Sequence, residues 1–457
     1  MGKTIKLKRG YDIKIVGEPK QETVNNLQSR TYSIKPPNFE GMYPIPKLLV
    51  QVGDEVKAGD GLFFDKSNPD IIYASPVSGE VVEVRRGLKR AIVEVIILAD
   101  NSIAFKQFDK INLASTTKEA IIPLLLQSGC WAFLRQRPYN VVASPNDTPK
   151  NIFISGFDTA PLAPDYNYVM QGQGKYFQAG VDVLKYLTSG KVHLSVNGGA
   201  TLADAYKNVK GIEIHQVSGP HPSGTVGTQI HHIAPLAKGE VVWTINPQDV
   251  LVLGRLALEG VFNTERLVSL GGPVVKEPKY YKTYLGANVE NMVKGNLTTD
   301  HVRYISGNPL TGSIVESNGH LDFWHHQLTV LKEGDQYEMF GWILPGLGWI
   351  LPANRPSASK TFPAFLKPNK KYDVTTNTHG EHRAFVVTGL YEKVTPMDIY
   401  PMQLLKSIMY GDFDQMEGLG IYEVVEEDLA LCGFVCPSKT EVQEILRQGL
   451  DMMREQG

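Results

Sequence analysis

The chain has 457 residues, enough for two to four domains with their own cores, and its 42% hydrophobic and 21% charged content is that of an ordinary globular protein. With 46 basic against 48 acidic residues there is no general electrostatic drive toward nucleic acid. Three cysteines exclude a disulfide scaffold and suit a reducing, cytoplasmic compartment. The N-terminus MGKTIKLKRGYDIKI lacks the apolar stretch of a secretory signal, and no run approaches the ~18 apolar residues of a membrane span.

The first hundred residues read as β. Runs such as IKIVG, KLLVQVG, DGLFFD, DIIYASP, GEVVEVRR and AIVEVIIL are separated by Gly, Pro and Asp turns. From about residue 110 helices and strands alternate: a helix at TTKEAIIPLLLQSG, a strand at NIFISGF, a helix at YFQAGVDVLKYLTSG, a strand at KVHLSV, a helix at TLADAYKNV and a strand at GIEIHQV. That alternation predicts an α/β layer with parallel strands. VVWTINPQDVLVLGRLALEG then predicts a crossover helix, and RLVSLGG, RYISG and GSIVES predict short strands of a mixed unit. The C-terminal hundred residues are expected to begin as β, at QYEMFGWILP and HRAFVVTGLYEKV, and to end helical, with Asp428 and Ser438 as helix starts. Trp342 and Trp349, in FGWILPGLGWILP, mark either a partner patch or a buried hairpin.

Motifs for bound groups are incomplete. QGQGKYFQAG has Gly172 and Gly174 before a helix but no third glycine at the dinucleotide offset, Gly198-Gly199 has no phosphate-reading residue after it, and no P-loop occurs. The pairs His231-His232 and His325-His326, and His379 with His382, stand without carboxylate or thiol partners at a metal spacing. GPHPSGTVGTQIHHIAPL, spanning His221 to His232, is expected to be an ordered functional loop. Near the C-terminus, LALCGFVCPSKTE ends like a ferredoxin run. Aligned on Cys436-Pro437, the four ligand places of C-x2-C-x2-C-x3-C-P fall on Glu426, Leu429, Cys432 and Cys436. Two thiolates are missing, and even the distant Cys130 would leave a cubane one short.

Two resemblances follow from these stretches. LLVQVGDEVKAGDGLFFDKSNPDIIYASPVSGEVVEV resembles the barrel-sandwich fold of biotinyl and lipoyl carriers, with Asp65-Lys66 where a carrier has its modified lysine. The tip runs two residues longer than in carriers and Pro69 stiffens it, which argues against lipoylation of Lys66. KLKRGYDIKIVGEP, EGMYPIPKLLVQVGD, ISGFDTAPLAPD, GPHPSGTVGTQIHHIAPL, RLVSLGGPVVKEPKYYKTYLGANVE, YEKVTPMDIYPMQLLKSIMYGD and EEDLALCGFVCPSK together resemble the A-subunit family of the bacterial Na+-translocating NADH:quinone oxidoreductase. The resemblance implies a protein on the cytoplasmic face of the bacterial inner membrane, working with five other subunits that carry the flavins and iron–sulfur centres between NADH and quinone. It also implies an architecture shared with the complex I flavoprotein and with the C-subunit of the Rnf complex: a multidomain α/β chain with a barrel-sandwich domain (1–105), a Rossmann-like domain (106–260), a β-grasp domain of the soluble-ligand-binding type (261–330), and a C-terminal β plus helical domain (331–457).

Those relatives bind flavin and NADH through G-x-G-G-A-x-F-P-T, where this chain has Cys130-Trp131-Ala132-Phe133-Leu134-Arg135-Gln136-Arg137-Pro138. Bulky side chains replace the glycines, so neither a flavin, NADH, an iron–sulfur cluster nor a metal is expected in this chain, and no catalytic residue. A quinone head group suits an aromatic pocket with a few donors. Trp131, Phe133, Arg135 and Arg137, with Phe39, Met42 and Tyr43 on NFEGMYPIP, supply such a set, or else contact the membrane subunits.

Overall fold

The computed structural model describes residues 2–25, 27, 29–335, 370–378 and 380–456. It is a multidomain α/β protein, with four sheets among the described residues. The largest has seven strands, in the order Thr4–Lys6, Glu213–Ser218, Lys191–Asn197, Asn151–Ser155, Val242–Ile245, Arg135–Arg137 and Val141–Val142. The first five run parallel, Arg135–Arg137 runs antiparallel to them, and Val141–Val142 pairs antiparallel with it in turn. Val242–Ile245 is buried at every residue, as a parallel strand covered on both faces must be.

The covering helices Gly174–Leu187 and Pro247–Glu259 pack backbone against backbone. A Cβ on Gly180 would stand 2.1 Å from the Val250 carbonyl oxygen, and one on Gly254 would stand 1.9 Å from that of Tyr176. Only glycine fits at either crossing. The helix Pro247–Glu259 starts on an Asn246 cap that accepts the Gln248 N–H, with proline at its first turn, and stops at Gly260 in the left-handed conformation.

The barrel sandwich consists of a four-stranded sheet (Thr31–Ile34, Ile92–Ala99, Gly79–Arg86, Glu55–Val56) over a three-stranded one (Lys47–Leu48, Gly61–Asp65, Asn68–Ala74). A six-stranded mixed sheet forms the β-grasp unit, with Gln327–Lys332 and Arg266–Gly271 at its centre. Helices Pro401–Tyr410, Glu426–Val435 and Val442–Gln456 enclose a separate core around Leu404, Leu429 and Leu446.

Several expectations change. The N-terminal thirty residues do not all enter the barrel sandwich: Thr4–Lys6 pairs with Glu213–Ser218 and Thr23–Val24 pairs with Lys279–Thr283. Each covers a strand edge whose N–H and C=O groups would otherwise lack partners, and the strands of the barrel sandwich itself begin at Thr31. IKIVG makes one bridge, Ile15 to Tyr372, rather than a strand. The helix at TLADAYKNV shrinks to Asp204–Lys207. HRAFVVTGLYEKV forms no strand among the described residues; Val386 and Val387 are exposed, and the segment ends in the short helix Tyr391–Val394. Asp428 sits at the third position of Glu426–Val435, accepting the Val425 N–H, while Ser438 donates to the Ala384 carbonyl and starts no helix. QYEMFGWILP, with Trp342 and Trp349, lies outside the described residues. Among the described residues no helix is long and apolar enough to cross a membrane.

Candidate functional site

A cavity of about 520 Å³ opens where the units meet. It lies beyond the carboxyl ends of Asn151–Ser155 and Val242–Ile245, between which the connections of the parallel sheet diverge to opposite sides, the place where open α/β sheets put their ligands. Asn38 and Glu40 reach it from the loop that follows Thr31–Ile34, Trp324 and His325 from the β-grasp unit, and Glu426 and Glu427 from the C-terminal helices.

The wall nearest the sheet combines aromatic rings with a cation, Arg135. Phe133 stacks on Phe323 at 5.0 Å and on Phe262 at 6.1 Å. The Arg135 guanidinium lies 5.0 Å from the Trp324 ring and forms no ion pair among the described residues. His221, from the GPHPSG loop, lines the same cavity. Thr159 Oγ1 accepts the Gly224 N–H at 2.9 Å and so has its own proton for His221 Nδ1, 3.1 Å away. The ring proton is then on Nε2, which is buried without a partner. Burial pushes the pKa of His221 down to about 4, as it does that of His325, so both are neutral donors at neutral pH.

The remaining lining is acidic. Asp249 pairs with Arg266 (3.2 Å), Asp322 with Lys35 (2.7 Å), Glu426 with Arg447 (3.1 Å) and Glu427 with Arg137 (2.6 Å), all four cations lying behind the wall. Asp158 has no cation among the described residues; burial pushes its carboxyl up to about 6, while the Ala160 N–H donates to it at 2.7 Å. The folded pKa lies above the ordinary value of about 3.9. Its stabilising contribution is therefore whole below about pH 4 and is lost as pH rises through about 6. Asp158→Asn removes that loss. Relative to wild type, the variant's urea midpoint should climb between about pH 4 and pH 6 and then stay level, and a difference independent of pH would contradict the shift.

The expected site residues separate. Phe133 and Arg135 reach the cavity. Phe39 and Met42 line a neighbouring pocket of about 200 Å³, in which Phe39 packs on Tyr73 at 4.4 Å. Tyr43 is on the surface, 59% exposed. Trp131 is wholly buried, its indole donating to the Ala143 carbonyl at 2.7 Å and meeting Trp243 edge to face. Arg137 is held by Glu427 and, at 3.0 Å, by Asp428. Asp158, His221 and Trp324 join the site without having been singled out as site residues; the density of Gly, Pro and His in the GPHPSG loop was the available signal for His221.

A pyrophosphate does not fit this cavity. The amino end of Pro247–Glu259 is met by its own Asn246 cap and by Asp249 in its first turn, and Asp158 stands at the neighbouring strand end. The glycine loop is replaced by the turn Cys130–Phe133, whose side chains are all buried. A cubane does not fit either: Leu429 is core, Glu426 is paired with Arg447, and Cys432 contacts Thr395 Oγ1 at 3.3 Å. Burial pushes the Cys432 thiol up to about 12. Burial acts the same way on Cys436, but hydrogen bonds from Tyr391 and Thr440 outweigh it and leave that thiol below its ordinary value.

The pair His325-His326 lines the cavity, whereas His231-His232 serves contacts. His231 Nδ1 donates to Glu423 at 2.8 Å while Nε2 accepts the Asp398 N–H, and His232 donates to the Pro396 carbonyl, fastening the helix Val226–Ile233 to the C-terminal unit. His379 lies outside the described residues. One trio that no sequence spacing announced, His193, Glu213 and His215, has ligand atoms close enough for a metal. There, however, the Lys3 N–H donates to His215 Nδ1, which leaves the proton on Nε2 to bond His193 Nδ1 at 2.9 Å, and Lys191 holds Glu213 at 2.5 Å. The atoms that would face a cation already face each other. Lys66 is exposed at the turn after Asp65, whose carboxylate accepts from Ser67 Oγ at 2.5 Å.

Models of three family domains match this chain: the NqrA N-terminal barrel-sandwich hybrid domain over residues 5–100, the NqrA second alpha/beta domain over 116–262 and the NQRA C-terminal domain over 267–317. The A-subunit of the Na(+)-translocating NADH-quinone reductase of Vibrio atlanticus is 39% identical over 459 residues, covering 99% of this chain and 100% of its own. The protein of the same name from Vibrio vulnificus is 39% identical over 457 residues, and that from Neisseria meningitidis 38% over 456, with the same coverage.

Proposed function

We propose, from the premise that this chain belongs to the A-subunit family of the Na(+)-translocating NADH-quinone reductase, that it docks on the cytoplasmic side of that pump and borders its quinone site without carrying an electron carrier of its own. The pump oxidises NADH, reduces quinone and moves Na+, and this chain is one subunit of it. The other five subunits, among them the membrane subunit on the quinone side, are its proposed partners.

The observation that carries the quinone reading is the wall of the cavity. Arg135 over Trp324, with the His221 Nε2 proton on the same cavity, offers an aromatic wall and two donors to a neutral head group with two carbonyl oxygens, and Phe133 backs that wall. The acidic lining favours such a neutral ligand over a nucleotide. On this reading the chain carries neither flavin nor cluster, and electrons reach the quinone from another subunit's cofactor held near the cavity mouth.

The test is the purified pump carrying Arg135→Gln. Losing a charged donor to a ligand oxygen costs about 1.5–3 kcal/mol, so the quinone KM should rise roughly 10- to 100-fold while all subunits still co-purify. An unchanged KM in a fully assembled pump would remove the cavity from the quinone path and leave docking as the role.

A further inference from the structure

The hairpin between Gly79–Arg86 and Ile92–Ala99 ends in Arg85-Arg86-Gly87-Leu88-Lys89-Arg90. Leu88 at its apex is 91% exposed, more than any other large hydrophobic residue described. The tip is built rather than loose. Gly87 N–H donates to the Ala91 carbonyl at 2.8 Å, Ala91 N–H to that of Leu88 at 3.0 Å, and Arg86 to that of Arg90 at 3.2 Å. Lys89 and Arg90 hold positive φ angles of 51° and 65° to close it.

The charge at the tip is uncompensated. Glu83 and Glu94, the acids nearest the tip on the same strands, are both taken up by Arg85, and Glu80 stands at the far end of its strand. Arg86, Lys89 and Arg90 form no ion pair among the described residues. The stretch Tyr43 to Ile45 lies alongside, joined by the Ile92 N–H donating to the Pro44 carbonyl, and both Tyr43 and Ile45 are exposed. Lys66 adds a fourth unpaired cation 5.9 Å from the Tyr43 ring.

We infer that this tip docks on an anionic phospholipid surface, with Leu88 and Tyr43 entering the headgroup region and Arg86, Lys89, Arg90 and Lys66 meeting lipid phosphates. The surface is convex, with one projecting apolar side chain ringed by cations, so it needs an occupant that is anionic and yields around it. A folded protein partner would need a concave acidic socket. The inference deepens the docking reading by assigning the face that does it, and it is tested apart from pump assembly.

The full chain is mixed with sedimentable vesicles of phosphatidylcholine alone or with added phosphatidylglycerol. Wild type should sediment only with the phosphatidylglycerol vesicles and be released by salt. The paired change Lys89→Asn and Arg90→Asn suits the positive φ angles, so the hairpin keeps its shape. It should weaken that partition about tenfold or more, and Leu88→Glu should do so as well, at unchanged thermal midpoint. Equal sedimentation of wild type and both variants would overturn the inference, as would no sedimentation of wild type. Variants that bind vesicles normally but no longer co-purify with the membrane subunits in detergent would overturn it in favour of a protein socket.

Discussion

Replacing Arg137 with alanine should lower the free energy of unfolding by about 3–5 kcal/mol, read as a fall in the urea midpoint. Arg137 ends the strand Arg135–Arg137, next to last in the seven-stranded sheet, and it reaches Asp428 and Glu427 in the C-terminal helical unit. Both Arg137 and Asp428 are buried. Burial opposes the charge on Arg137, but Asp428 and then Glu427 outweigh it and hold the guanidinium above its ordinary pKa. Taking the cation away strands the Asp428 carboxylate against a wall where Arg137 Nε and Asp428 Oδ1 already lack partners. Since the penalty is the orphaned charge, Arg137→Met combined with Asp428→Asn should recover most of the loss. Asparagine keeps an acceptor for the Val425 N–H that starts the helix. Additive single effects would show that the pair contributes nothing beyond its parts.

Trp131→Ala should cost a similar amount, about 3–5 kcal/mol, with a quinone KM that does not move in the assembled pump. The indole is fully enclosed, edge to face with Trp243 at 5.4 Å, and it donates to the Ala143 carbonyl. Trp131→Phe should lose less, because the ring contact survives and only the donor goes, leaving the carbonyl bare. A raised quinone KM in a pump whose stability is unchanged would contradict a purely structural indole.

CWAFLRQRPY shows how far the sequence carries. Its alternation of rings and cations announces a place where aromatic faces meet charge, and that much is correct for Phe133 and Arg135. The turn Cys130–Phe133 then sends neighbouring rings in different directions, Trp131 into the core and Phe133 to the cavity. Arg135 and Arg137 share a face of one strand, yet one meets Trp324 and the other Asp428, because two different units dock along that face. Strand and helix alternation identified the α/β layer, since periodicity is local. The cavity was not legible, since Asn38, Asp158, His221, Trp324 and Glu427 come together only through docking. Edge covering by Thr4–Lys6 was missed for the same reason: a three-residue strand carries almost no pattern of its own.

The cavity's walls belong to two cores, one shared by the barrel-sandwich, α/β and β-grasp units and one among the C-terminal helices, so the enclosure exists only after the second has closed on the first. Any molecule that prefers the closed cavity therefore acts as a clamp on the whole chain. Above its dissociation constant, each further tenfold of ligand adds about 1.4 kcal/mol to the closed arrangement. In a membrane rich in that ligand, the protein would be held shut; stripped of it during purification, the same protein would loosen first at the seam where Arg137 meets Asp428.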